Sequence, residues 1–221
     1  MSEIDAIRER HSVRTYEPRK IEKGKIERIQ GKIDEINKEG NLSFKFLEDA
    51  GNTYNRLTNK VLGLGSAPNV IICAGKESKD NKDPLEERVG YYGEKLVLFI
   101  QELGLNTCWT GIFNKEEVSK HVDKDDHLVL CIAVGYGQTQ GKPHKSKRPD
   151  QVTSGKGEKP YWFNKGVEMA LLAPTAMNQQ RFEIRFNEDA TVHFIDKGGP
   201  FSKVDLGIVR YHFEVGSGKQ M

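Results

Sequence analysis

Two stretches of this chain carry almost no polarity outside the backbone, and they constrain everything between them. Val70-Ile-Ile-Cys-Ala74 and Leu128-Val-Leu-Cys-Ile-Ala-Val134 are continuous apolar runs of strand length. A strand with one wet face would alternate; a run that does not alternate suits a strand covered on both faces. Both therefore predict buried strands, the first of them central in its sheet, entered through the Gly- and Pro-punctuated stretch Gly63 to Asn69. Between the two runs, Val89, Tyr92, Leu96, Phe99, Ile100 and Leu103 recur at helical spacing, which predicts a long helix over 84–103 with Gly104 as its stop. Its apolar residues lie on several faces, so deep burial is expected.

The other elements are shorter. Ser2 with Asp5 reads as a capping box for an opening helix over residues 2–10 that ends near His11. Ile26, Ile29, Ile33 and Ile36 mark an amphipathic helix over 23–38, and Phe44 with Phe46 a strand over 43–48. Asn114 should cap a brief helix reaching His121. Between Lys142 and Lys159 six Lys/Arg face two acids, and the whole of 135–160 reads as a long, basic, irregular loop. A helix over 161–172, a hairpin of 181–186 with 191–196, and a helix over 202–215 complete the chain. Helices mixed with a few strands make a three-layer α+β domain the natural class, one domain over 1–221.

Composition excludes more than it proposes. Lys plus Arg total 34 against 32 for Asp plus Glu, so no global field draws the chain toward nucleic acid or anionic lipid. The longest apolar run falls short of the ~20 residues a membrane span needs. The N-terminal Met-Ser-Glu-Ile-Asp lacks the basic start and apolar stretch of a secretory signal, so a cytoplasmic location is expected. Cys73, Cys108 and Cys131 form no C-x-x-C pair, and reduced packing residues are the better reading.

Four clusters carry chemistry. Arg10-His-Ser-Val-Arg14 places two guanidiniums and a hydroxyl within five residues, a set able to grip a phosphate, although a solvated basic helix end has the same composition. Lys145-Ser-Lys-Arg-Pro149 is by itself a solvated charge run; it could also supply the other half of a phosphate clamp. Gly104 to Phe113 follows the long helix. It is either an ordinary helix-to-strand connection with Trp109 in the core, or a turn whose backbone approaches a planar ligand. In Leu172-Ala-Pro-Thr-Ala-Met-Asn-Gln-Gln180, Pro174 ends a helix and Thr175, Asn178 and Gln180 then present polar side chains.

Taken together these motifs resemble the nitroreductase family over most of the chain. Ile7-Arg-Glu-Arg-His-Ser-Val-Arg-Thr-Tyr16 is similar to the family's N-terminal signature. The resemblance implies FMN-phosphate binding by Arg10 and Ser12, with His11 between them, and ring contact by Arg14. Leu103 to Gly111 resembles the segment whose backbone reaches flavin N5, which implicates Thr110, Gly111 and Ile112. Lys145-Ser-Lys147 is similar to the family's phosphate loop, and Ala173-Pro-Thr-Ala-Met-Asn-Gln-Gln180 to its Ala-Pro-Ser-x-x-Asn-x-Gln turn. The second of these implicates Pro174, Thr175, Ala176, Asn178 and Gln180. That turn usually follows the family's second helix; here it comes near the C-terminus, and Arg181 replaces the usual Pro-Trp, so the chain resembles a compact, rearranged branch. The resemblance implies an FMN-dependent oxidoreductase, taking electrons from NADH or NADPH to a nitroaromatic, quinone or similar conjugated acceptor. It further implies a homodimer with shared flavin sites and no catalytic acid or base of its own. The alternative from another class is a flavin-binding carrier or redox sensor without turnover.

Overall fold

A computed structural model describes residues 1–54, 63–64, 67–77 and 81–221. Within the Gly63–Asn69 stretch, Gly65 and Ser66 lie outside the described residues. The elements are α1 (Glu3–Glu9), α2 (Lys23–Gly40), β1 (Lys45–Leu47), β2 (Asn69–Gly75), α3 (Leu85–Glu102), β3 (Asn106–Thr110) and α4 (Lys115–Ser119). They continue with β4 (His127–Gly135), a 3₁₀ turn (Pro149–Gln151), β5 (Thr153–Gly155), α5 (Tyr161–Ala170), a second 3₁₀ turn (Ala176–Asn178), β6 (Phe182–Phe186), β7 (Val192–Asp196) and α6 (Ser202–Ser217).

The chain folds as two compact units: a sheet unit, Arg10–Leu85 with Leu96–Lys142, and a helical unit, Met1–Glu9 with Glu86–Lys95 and Pro143–Met221. The sheet unit is built on four strands in the order β1-β2-β4-β3, every neighbour antiparallel. The apolar run at 70–74 lies in β2, between β1 and β4, with all seven strand residues buried. Ile71 and Ile72 face Ile132 and Cys131 across the pair, so the two runs zip against each other. Val13, Tyr16, Tyr54, Val70, Ile72, Cys108, Val118, Cys131 and Ala133 form one core cluster of this unit. Burial pushes the Cys73, Cys108 and Cys131 thiols up, so they sit in the core as protonated apolar groups. In α2, Ile29, Ile33 and Ile36 are fully buried while Ile26 is half-buried, as the 3-4-3 spacing requires.

The sequence reading takes 104–113 as a connection or turn. Residues 106–110 are in fact strand β3, paired with Cys131–Gly135 of β4. Thr107, Cys108 and Thr110 are buried, whereas Trp109 is only half-buried and not a core residue. Two hydrogen bonds explain how a polar segment can hold this place: Thr110 Oγ1 donates to the Cys131 carbonyl at 3.0 Å and also meets Tyr54 Oη at 3.1 Å. Gly104 does stop α3, at φ +73°, with its N–H donating to Gln101 O.

The helical unit has a second sheet in which β6 pairs antiparallel with β7 and parallel with β5. Thus the basic stretch 135–160 is not wholly irregular: Thr-Ser-Gly is a strand because β6 offers it an edge, and no β-propensity announces it. Against this sheet and α5 lie Trp162, Phe163, Phe186, Phe194 and Phe213, edge-to-face or tilted with centroids 5.1–6.4 Å apart. The first half of α3 crosses α6 at two glycines. A Cβ on Gly90 would lie 2.0 Å from Val204 O, and one on Gly207 2.0 Å from Glu87 O. Beside the crossing, His212 and Glu94 are fully buried, Nε2 to Oε1 at 2.9 Å, with Nδ1 3.1 Å from Met169 O. The Met169 carbonyl only accepts, so Nδ1 donates to it and the ring is fixed between that carbonyl and the Glu94 carboxyl. At the N-terminus, Asp5 N donates to Ser2 Oγ and Ser2 N to Asp5 Oδ2, the expected capping box.

Candidate functional site

In the sheet unit, the segment after α1 runs beside β3. Ser12 bridges Thr107 in parallel, and Val13 N donates to Thr107 O at 3.0 Å. On the other side Tyr16 bridges Gly137, Gln138 N donates to Thr15 O and Glu17 N to Tyr136 O. Tyr16 Oη closes the segment on itself by donating to Val13 O at 2.7 Å. Val13 and Tyr16, three residues apart, are both buried in the core, while Arg14 and Thr15 between them are exposed. Arg10 is buried at 3% exposure, and His11 and Ser12 are half-buried. Gly141 packs so closely here that a Cβ on it would come 2.7 Å from His11 Cβ, and its φ of +76° favours glycine.

Arg10, Ser12 and Arg14 all lie near the Cys108 thiol of β3. The Cys108 thiol is raised by burial, but Arg14 and Arg10 pull it the other way and Ser12 hydrogen-bonds it. Ser12 thus meets β3 at Cys108, and both guanidiniums lie near enough for their charge to be felt there. This donor set fits a phosphate dianion, which needs several charge-assisted hydrogen bonds at short range. Thr110 ends β3 three residues beyond Thr107, roughly 10 Å along the strand, and Gly111 and Ile112 beyond it are exposed. The Thr110 hydroxyl is committed to the sheet by the bonds described above, so that residue could meet a ligand through its backbone.

In the helical unit, the structure brings Lys145 and Lys147 together with Asn178 and Gln180. Gln180 Oε1 accepts from Lys147 N at 2.8 Å, and Nε2 donates to Lys145 O at 2.9 Å and to Asn178 Oδ1 at 2.8 Å. Asn178 Nδ2 also donates to Lys145 O, at 3.0 Å, and Lys147 Nζ to Gln180 O at 2.7 Å. Ser146 Oγ donates to Leu171 O, just past α5, at 2.8 Å. The turn itself is sharply bent: Met177, Asn178 and Gln180 are all left-handed, at φ +52°, +54° and +48°. Such conformations are uncommon away from glycine and are held here by the bonds around them. Thr175 Oγ1 accepts from Gln180 N, Ala176 N donates to the Asp205 carboxylate at 2.9 and 3.1 Å, and Met177 is 79% exposed. Pro174, Thr175 and Ala176 are half-buried.

Asp205 is absent from the sequence reading. Burial pushes its carboxyl up to about 7; the Ala176 N–H opposes the shift and Asp196 adds to it. Its one sequence signal is an acid in the first turn of α6, which ordinarily announces a helix start rather than an anchor for a turn 29 residues away.

With this geometry in view, the comparisons decide the family. A family profile described as "Putative TM nitroreductase" matches residues 3–217. The chain belongs to this nitroreductase family. Among solved structures it is similar to a "putative nitroreductase" of Thermotoga maritima MSB8, at 25% identity, a TM-score of 0.67, and coverage of 98% of this chain and 83% of that one. A "Putative NADH Oxidase" of Clostridium acetobutylicum is similar at 25% identity and TM-score 0.52 over 67% of this chain and 97% of that one. A "putative nitroreductase in complex with FMN" from Exiguobacterium sibiricum 255-15 shares the fold at 14% identity, TM-score 0.54, over 68% and 95%. No curated protein sequence matches. The expected fold is therefore the observed one: an α+β, nitroreductase-like chain. No helix among the described residues is long and apolar enough to cross a membrane.

Proposed function

We propose that this nitroreductase-family chain is an FMN-dependent oxidoreductase that draws electrons from NADH or NADPH and delivers them to a nitroaromatic, quinone or similar conjugated acceptor. The observation that carries the reading is the placement of Arg10, Ser12 and Arg14 on the segment that runs beside β3, with Ser12 bridging Thr107 and Val13 N bound to Thr107 O. It is supported by the family match and by a neighbour of the same fold that holds FMN. When bound, FMN supplies the two-electron chemistry.

In this reading Arg10 and Ser12 bind phosphate, with His11 filling the wall between them. Arg14 lies along the ring, where a cation favours negative charge gathering on a planar heterocycle. The Thr110-Gly111-Ile112 backbone would face the ring's reactive edge. Lys145 and Lys147 would serve as phosphate ligands, and the Pro174, Thr175, Ala176 and Asn178 turn would supply flavin contacts from the same or a second chain. A cytoplasmic homodimer that shares its sites remains part of the proposal. Mixing Arg10→Glu chains with Asn178→Asp chains should restore part of the lost FMN binding, and no recovery after proven subunit exchange refutes sharing.

The decisive experiment is spectroscopic. Purified protein should release FMN and show flavin absorbance that NADH or NADPH bleaches without oxygen and that a quinone restores. Colourless protein that takes up no FMN ends the proposal; flavin that no nicotinamide bleaches favours a flavin carrier or sensor.

A further inference from the structure

We infer that Gln180 is a positioning residue for the basic loop. Its side-chain amide fastens the main chain of Lys145 and Lys147 to the Pro174–Gln180 turn, so that Lys147 meets a phosphate already ordered. The inference rests on the FMN reading above.

A primary amide has two N–H donors and a carbonyl that accepts, and in Gln180 both donors and the acceptor are in use: Lys145 O, Asn178 Oδ1 and Lys147 N. The residue is 3% exposed. To donate to a flavin edge, buried Gln180 would have to give up its bond to Lys145 O or to Asn178 Oδ1, which costs more than a new bond returns. Its engagement with the loop is also reciprocal. The Gln180 carbonyl, turned by the left-handed backbone at φ +48°, accepts from Lys147 Nζ. That bond occupies one of the three ammonium donors and leaves two for a phosphate.

Loop and turn are thus stitched at each residue of Lys145-Ser146-Lys147: the first and third through Gln180, the middle one through Leu171 O. Lysine loses much rotamer freedom on binding, and a loop fixed beforehand has less left to lose. Polar partners for a ring in this turn would then be left to exposed Asn178 rather than to Gln180.

The test compares FMN with riboflavin, which lacks the phosphate, by equilibrium titration of the full-length protein. Gln180→Met keeps the side chain's length and removes its hydrogen bonds; Gln180→Glu keeps the acceptor for Lys147 N and replaces the first variant if that fails to fold. Loss of one ordered cation–phosphate contact should lower FMN affinity about tenfold with riboflavin affinity held. Lys147→Met should do the same, and the double variant should show no further loss of FMN preference. Equal losses for both ligands would assign Gln180 to the ring, and additive losses would separate it from Lys147; either overturns the inference. A wild-type protein that binds neither flavin removes the FMN reading instead. Limited trypsin digestion then still judges the fastening: native cleavage after Lys145 and Lys147 should quicken in the Gln180 variant, and an unchanged rate refutes it.

Discussion

The sheet unit and the helical unit each hold a basic cluster, and they hold it by opposite means. Around Arg10–Arg14 most of the anchors are main-chain, Val13 N to Thr107 O, Gln138 N to Thr15 O and Glu17 N to Tyr136 O, with the Tyr16 hydroxyl on Val13 O beside them. Around Lys145–Lys147 they are side-chain groups, the Gln180 amide and the Ser146 hydroxyl. A main-chain anchor survives most substitutions because every residue but proline carries it. A side-chain anchor disappears with one substitution. The first cluster should therefore be robust in shape and sensitive in charge, the second sensitive in shape.

The largest effect that could break this contrast lies in the helical unit's own frame. Gly207→Val would drive a side chain into Glu87 O, and overpacking of a helix crossing against backbone should cost about 3 kcal/mol or more. Thermal melting should show collapse or gross loss of stability; a near-native melting temperature would mean that α3 and α6 do not cross as described. Next comes the charge of the first cluster. Arg10→Glu should weaken FMN on the order of a hundredfold, about 2.7 kcal/mol, while sparing riboflavin. Arg14→Glu, at an exposed position, should instead weaken both ligands alike. Equal losses from Arg10→Glu would take that residue away from the phosphate.

A smaller effect sharpens the shape argument. Folding raises the Asp205 carboxyl from 3.8 to about 7, so the folded chain keeps a proton that the unfolded chain releases between those values. Stability from this group is then greatest below pH 4 and falls as pH rises toward 7. Asp205→Asn keeps an acceptor for Ala176 N and should remove that fall, so that denaturant midpoints of variant and wild type diverge between pH 5 and 8 in the variant's favour. Parallel pH profiles would mean that Asp205 titrates normally. The smallest change, Ser2→Ala, deletes one cap of α1 and should cost about 1 kcal/mol by chemical denaturation, with flavin binding untouched.

What was legible in the sequence follows from the range of the forces involved. Helices α2 and α3 and strands β2 and β4 announce themselves because their burial is continuous along the chain, and their ends fall within two residues of the periodic pattern. The Asn114 cap is legible too, since its bond to Glu117 N spans three residues. Strands β3 and β5 are not: Asn-Thr-Cys-Trp-Thr and Thr-Ser-Gly become strands through partners that lie elsewhere in the sequence. Within the candidate site, the residue types of both clusters could be read, but not their partners. Gln180 meets Lys145 across 35 residues, Asp205 meets Ala176 across 29, and His212 meets Glu94 across 118. A turn rich in Asn and Gln looks the same in sequence whether its amides face a ligand or a neighbouring loop.

All three cysteines of the chain belong to the sheet unit, each buried and each with its thiol held above its ordinary range. Thiol reagents attack the thiolate and need access, so modification must await an opening of that unit. The rate at which a thiol reagent labels the native protein is thus a clock for breathing of the four-stranded sheet. It is silent about the helical unit, where no sulfhydryl exists to report.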